Sequence, residues 1–107
     1  MGKAIEINEA NFGTEVLQSD VPVLIDFWAT WCSYCMMISD SIDELAEEYS
    51  GRVKVCKVNF DENAALARKH KILSLPTLLV YKDGAVVNQR PGGGSKPDIE
   101  ALFKDFV

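Results

Sequence analysis

Apolar positions along the chain recur at two alternating spacings, and the points where the spacing switches divide it into strands and helices. Ile5 and Ile7 lie two apart, the spacing of a short strand. Asn8 or Asn11 is placed to cap a helix to about Gln18, with Phe12, Val16 and Leu17 on its buried side. Val23 to Ala29 is a near-continuous apolar run interrupted by Asp26, the pattern of a strand covered on both faces of a parallel sheet. From Cys32 to about Tyr49 the spacing is helical. Cys35, Ile38, Ile42, Leu45, Ala46 and Tyr49 share one face, and Asp40, Asp43, Glu44, Glu47 and Glu48 lie mostly on the other as solvated surface. Val53, Val55 and Val58 predict a strand, Asn63 to His70 a short helix, and Thr77 to Tyr81 a further strand. Lys82-Asp83-Gly84 is a hairpin turn leading back into Ala85-Val86-Val87. Pro91 to Gly94 reads as a loop. Ser95 and Asp98 have capping-box spacing, with Pro97 in the first turn of a last helix that buries Ile99, Leu102, Phe103 and Phe106. The order β-α-β-α-β-α-β-β-α describes an α/β fold, a central mixed sheet of about five strands flanked by four helices.

Length and composition narrow the function classes. The 107 residues, 48% hydrophobic and 25% charged, suit one domain spanning 1–107 with its own core. Eleven basic against 16 acidic residues leave a net charge of −5, and no dense Lys/Arg run is present. Nucleic acid and an anionic membrane surface are therefore not expected partners. The longest mainly apolar stretch, Val21 to Trp31, is broken by Pro22 and Asp26 and falls short of the roughly 20 residues of a membrane span. The N-terminal run Met1-Gly2-Lys3-Ala4-Ile5-Glu6 reaches an acidic residue with no apolar signal core, so a cytoplasmic chain is expected. There is no clear oligomer signal, and a monomer is the expectation.

Three cysteines are too few for a disulfide-stapled scaffold. Two of them, Cys32 and Cys35, sit three apart where a buried strand gives way to a long helix. Unpaired N–H groups and a partial positive charge at the helix start stabilise a thiolate. The thiolate is the species that attacks a disulfide. Cys32, at the exposed helix start, is the expected attacking sulfur. Cys35, one turn in and on the buried side, is placed to resolve the mixed disulfide, and residues three apart at a helix start lie within bridging reach. A zinc site would need two more ligands, and only Cys56 and His70 remain, without a second close pair. A purely structural pair is the other alternative; Trp28 and Trp31 beside the junction favour redox chemistry. No metal and no cofactor are expected. Asp26 interrupts an apolar strand, so burial should raise its pKa toward neutral and suit it to general acid–base work, with a structural pairing to Lys57 as the compatible alternative. Cys56 is expected to be buried and inert, and His70 to contact the C-terminal end of its helix.

Taken together, Asp26-Phe27-Trp28-Ala29-Thr30-Trp31-Cys32, Lys57-Val58-Asn59, Leu75-Pro76-Thr77-Leu78, the Gly92 loop and the closing helix resemble the thioredoxin family over essentially the whole chain. The resemblance implies the thioredoxin fold and reversible dithiol–disulfide exchange with protein disulfide substrates. It also implies re-reduction by a thioredoxin-reductase-type partner. It casts Cys32 as nucleophile, Cys35 as resolving cysteine and Asp26 as the carboxylate handling the resolving thiol's proton; Lys57 is counted with them among the expected catalytic residues. Pro76 would be a cis-proline beside the disulfide. Leu75 would offer its backbone to an extended substrate, and Trp31, Ser33, Tyr34 and Gly92 complete the expected substrate surface.

The chain departs from that pattern between and after the cysteines. Ser33-Tyr34 replaces Gly-Pro, a change expected to loosen the turn and shift the couple toward more oxidising potentials. Met36 stands where a lysine is common, and with Met37, Trp31 and Tyr34 it offers a more apolar rim. Ser39-Asp40 replaces the usual kink-forming proline, which predicts a straighter helix or one bent by packing alone. The competing functions are an isomerase-like exchanger with a dedicated partner and, in another class, a binding module or a dimer bridging an iron–sulfur cluster through Cys32.

Overall fold

The computed structural model describes residues 3–107; Met1 and Gly2, which open the N-terminal run read above, lie outside the described residues. The elements in chain order are β1 (Ile5–Glu6), a π-helical segment (Gly13–Leu17), β2 (Val23–Trp28), α1 (Ser33–Glu48), β3 (Lys54–Asn59), α2 (Ala64–Lys69), β4 (Thr77–Lys82), β5 (Ala85–Pro91), α3 (Lys96–Phe103) and a 3-10 turn (Lys104–Phe106). The sheet order is β1-β3-β2-β4-β5. β3 runs parallel to both β1 and β2, whereas β4 is antiparallel to β2 and to β5. This is the mixed five-stranded α/β sheet expected from the sequence.

Strand β2 reads as continuously apolar because it is central and covered on both faces. Successive side chains point to opposite faces. Ile25 and Phe27 enter one core with Phe12, Val16, Val58 and Leu66. Leu24 enters the other with Ile38, Ile42, Leu45, Ile99 and Phe103. Asp26 alternates with Ile25 and Phe27, so it shares Leu24's face, toward α1. That placement decides its chemistry below.

Among the described residues, four helical segments precede the closing 3-10 turn, but the first is a short π-helical stretch and not the helix predicted to about Gln18. The Gln18 amide donates to the Gly13 carbonyl at 3.0 Å, five residues back. Asn8 and Asn11 do not cap it; they close a turn before it. The Asn8 Oδ1 accepts from the Asn11 amide at 3.0 Å, and the Asn11 Oδ1 accepts from the Asn8 amide at 2.8 Å. Strand β5 is longer than its apolar residues suggest, because an exposed edge strand tolerates Asn, Gln, Arg and a terminal Pro. The hairpin uses positive φ at Asp83 and Gly84, as tight turns between strands require. α3 opens on the Ser95/Asp98 capping box.

Two surface readings change. His70 does end α2, and its Nδ1 meets the Leu66 carbonyl at 2.8 Å. Burial against Phe12, Phe27 and Tyr81 lowers its pKa, while the Leu66 hydrogen bond pulls the other way. The acidic face of α1 is also more than solvated surface. Lys96 bridges from α3 to Glu44 and Glu48.

Candidate active site

The turn after β2 delivers Cys32 to the N-cap of α1, with extended backbone angles of −93° and 104°. Its Sγ accepts a hydrogen bond from the Cys35 amide at 3.1 Å. The donor is one of the N–H groups that the first helical turn leaves unpaired, the kind of partner a cap supplies. Cys32 and Cys35 form a disulfide, with their Cα atoms 5.3 Å apart. The accessibilities separate the two sulfurs less than expected. Cys32 is 7% exposed and Cys35 2%, so Cys32 is the more accessible residue but is not an exposed one. The helix start lies in a hollow beside Trp28, Phe60, Leu75 and Ala29, and that packing covers most of the cysteine.

Asp26 lies behind the pair. It is 1% exposed, and its Oδ1 has no hydrogen-bond partner among the described residues. Burial raises its carboxyl from an ordinary 3.8 to about 7; the Lys57 ammonium pulls the other way, and Asp43 adds a smaller upward push. Desolvation wins because the ammonium is not in contact. Lys57 faces Asp26 in the β2–β3 register, but its Nζ lies 3.2 Å from Ser39 Oγ and 3.7 Å from Asp43 Oδ1. The sequence alternative of an Asp26–Lys57 ion pair is thus replaced by a Lys57–Asp43 pair. A cavity of about 150 Å³ is bounded by Asp26, Trp28, Cys35, Met36, Ser39 and Lys57.

Opposite the pair, the Leu75–Pro76 bond is cis, and Pro76 is buried. Leu75 packs against the cysteines. The Gly92 amide donates to the Pro76 carbonyl at 2.7 Å, fixing the loop after β5 beside the cis-proline, and Gly92 adopts a positive φ of 81°. Tyr34, Trp31, Met36 and Met37 are exposed around the site, as is Ser33. The Trp31 indole N–H donates to Asp61 Oδ2 at 2.8 Å, which orients an otherwise free ring. Asp26, Cys35 and Lys57 border one cavity, Cys32 is bonded to Cys35, Leu75 packs against the pair, and Gly92 is tied to Pro76; Trp31, Ser33 and Tyr34 are exposed.

Three contributors escaped the sequence reading. Gly93 is buried under Tyr34, where an added Cβ would come within 3.3 Å of the ring and 3.1 Å of Ile38. Ser39 and Asp43 follow Cys35 at intervals of four, which puts all three on one line along α1. The second signal is legible in the sequence once Lys57 is asked what it pairs with. Cys56 is fully buried on β3, and burial pushes its thiol up to about 12, so it remains protonated and inert. Neither Cys56 nor His70 joins the pair: among the described residues no three His, Cys, Asp or Glu side chains cluster as metal ligands.

Comparison with known proteins agrees with this geometry. The thioredoxin family model matches residues 3–105. The chain belongs to the thioredoxin family. It is 46% identical to thioredoxin 1 of Nostoc sp. over 107 residues, covering all of both chains. It is 43% identical to the thioredoxin of Haemophilus influenzae, again over the full length of both. Against the thioredoxin of Chlorobaculum thiosulfatiphilum identity is 47%, covering 99% of this chain and 98% of the relative. The chain is thus a thioredoxin-fold thiol–disulfide oxidoreductase acting on protein disulfides, with a reductase as its general class of partner. No helix among the described residues is long and apolar enough to cross a membrane.

Proposed function

We propose that this thioredoxin-family chain works as a single domain that reduces protein disulfides, with Cys32 as nucleophile, Cys35 as resolving thiol and Asp26 as proton acceptor. The Cys32 thiolate attacks one substrate sulfur, forming a mixed disulfide and releasing the first substrate thiolate. Cys35 gives its proton to the Asp26 carboxylate; its thiolate attacks Cys32 Sγ and displaces the second. Two electrons leave the dithiol, the substrate disulfide is cleaved, and the Cys32–Cys35 disulfide forms. The observation that carries this reading is the cavity shared by Cys35 and Asp26, because it joins the resolving sulfur to a carboxyl group with a pKa near neutral. Lys57 modulates that carboxyl from the adjacent strand. Trp31, Ser33, Tyr34, Leu75, Pro76 and Gly92 receive an extended substrate segment around the opening.

The net charge of −5 and the absence of a basic run support a reading without nucleic-acid or membrane partners. A cytoplasmic monomer served by a thioredoxin-reductase-type enzyme fits the same features. The test is reduction of the Cys32–Cys35 disulfide by a thioredoxin reductase with NADPH, coupled to insulin. Sustained NADPH consumption is expected. If the disulfide is inert to that enzyme yet exchanges readily with dithiothreitol, a dedicated reductase replaces the general one.

Ser33 and Tyr34 favour a second feature, a more oxidising couple than the thioredoxin norm. They remove the turn-stiffening proline of the family pattern, and Tyr34 packs on Gly93. Equilibration with a glutathione buffer is expected to give a potential above about −270 mV; a value at or below that overturns the expectation.

A further inference from the structure

We infer that Ser39 is a positioning residue: with Asp43 it holds the Lys57 ammonium on α1 and away from the buried Asp26 carboxyl. The inference rests on the proton-acceptor reading of Asp26 for its functional meaning, although the geometry stands without it. Lys57 is paired with Asp26 in the sheet register, so a direct ion pair across β2 and β3 is the arrangement the backbone offers. The ammonium instead donates to Ser39 Oγ at 3.2 Å and lies 3.7 Å from Asp43 Oδ1, both on α1. Asp43 is itself tied down, because the same Oδ1 accepts from the Ala4 amide at 3.4 Å. Meanwhile Asp26 Oδ1 is buried without a partner, and Asp26 lines the same cavity as Ser39, Lys57 and Cys35.

The charged and titratable groups facing Asp26 are few. β3 contributes Lys57, α1 contributes Asp43 and Cys35, whose sulfur is bonded to Cys32 here, and β4 contributes Leu78 opposite it in register, which carries no charge. Beyond burial, the position of the Lys57 ammonium is therefore the largest charge effect on Asp26. An opposite charge in contact lowers a carboxyl by about one to three units. Ser39 and Asp43 offer Lys57 a hydroxyl and a half-exposed carboxylate, both less costly to reach than a fully buried Asp26. Ser39 follows Cys35 by one helical turn, and the two line the same cavity.

The test compares the parent with Ser39→Ala, Ser39→Thr and Lys57→Met. The Asp26 carboxyl is titrated in the oxidised protein by 13C NMR, and the pH midpoint for resolution of a Cys32 mixed disulfide is measured separately. Alanine is a better helix former than serine, so folding is retained, and a thermal melt checks it. Ser39→Ala is expected to lower the Asp26 midpoint by roughly one pH unit, because the released ammonium turns toward the carboxylate. Ser39→Thr, which keeps the hydroxyl, is expected to stay near the parent. In the Lys57→Met background, Ser39→Ala is expected to produce no further shift. An unchanged Asp26 midpoint in Ser39→Ala overturns the inference, and so does a shift of equal size with Lys57 removed. If the Asp26 midpoint moves while the resolution profile stays fixed, the positioning stands and the proton-acceptor reading of Asp26 falls.

Discussion

Cys32→Ser is expected to abolish turnover of disulfide substrates, with a loss of at least about a thousandfold in insulin reduction. The reason is positional as well as chemical. Among the described residues, Cys32 Sγ alone sits at the N-cap of α1 and accepts from the Cys35 amide at 3.1 Å, and Cys32 is the more accessible of the pair. A serine hydroxyl in the same hydrogen bond retains the cap but supplies no thiolate near neutral pH. Cys35→Ser behaves differently. Its attacking partner is intact, so the first exchange proceeds and the reaction stops there, leaving the substrate attached to Cys32. Mass spectrometry after addition of a disulfide peptide is expected to show one covalent peptide per chain for Cys35→Ser and none for Cys32→Ser. Parent-like activity in Cys32→Ser, or adducts on Cys35 instead, would overturn the order of the sulfurs. Cys56 does not confuse the result, because a thiol that titrates near 12 inside the core is not a competing nucleophile.

Most of the fold was legible because each element carries one dominant signal. The central strand shows itself by unbroken apolarity and α1 by its buried face. The last helix is marked by Ser95, Pro97 and Asp98. The elements that were misjudged lie where local polar chemistry overrides periodicity. Asn8 and Asn11 carry the cap signature but use their side chains on each other, and the helix behind them shortens to a π-helical turn. Asn88, Gln89 and Arg90 look like loop residues yet extend β5, because an edge strand open to solvent places no demand for apolar side chains. In the site, Cys32, Cys35 and Asp26 were visible from spacing and from a carboxyl inside an apolar run. The partner of Lys57 was not. Register places Lys57 beside Asp26, and only the third dimension reveals that α1 offers it Ser39 and Asp43 at lower desolvation cost. Cys32 exposure failed for a similar reason: a helix start is exposed in isolation, but here Phe60 and Leu75, distant in sequence, cover it.

Asp26→Asn is expected to stabilise the protein at alkaline pH while slowing it as a catalyst. The carboxyl titrates at about 7 in the folded chain against an ordinary 3.8, so the folded state holds a proton that the unfolded chain has already released. Below pH 3.8 both states are protonated and the carboxyl contributes nothing. As pH rises from there to about 7, the folded state binds more protons than the unfolded one, and stability falls. Above 7 the full penalty is present, and three pKa units correspond to about 4 kcal/mol. Asparagine, close in shape and always neutral, removes that slope. Urea unfolding is expected to give parent and Asp26→Asn similar stabilities near pH 4 and to separate them by several kcal/mol at pH 8, with the variant the more stable. The same substitution deprives Cys35 of its proton acceptor, a loss of about a hundredfold or more in mixed-disulfide resolution. If the two stability curves run parallel from pH 4 to 8, Asp26 does not titrate in the folded protein as its burial requires. If they diverge as expected while resolution is unchanged, the buried carboxyl is a stability cost unconnected to the reaction. A gain in stability joined to a loss of rate is the outcome expected of a group kept in the core for its proton.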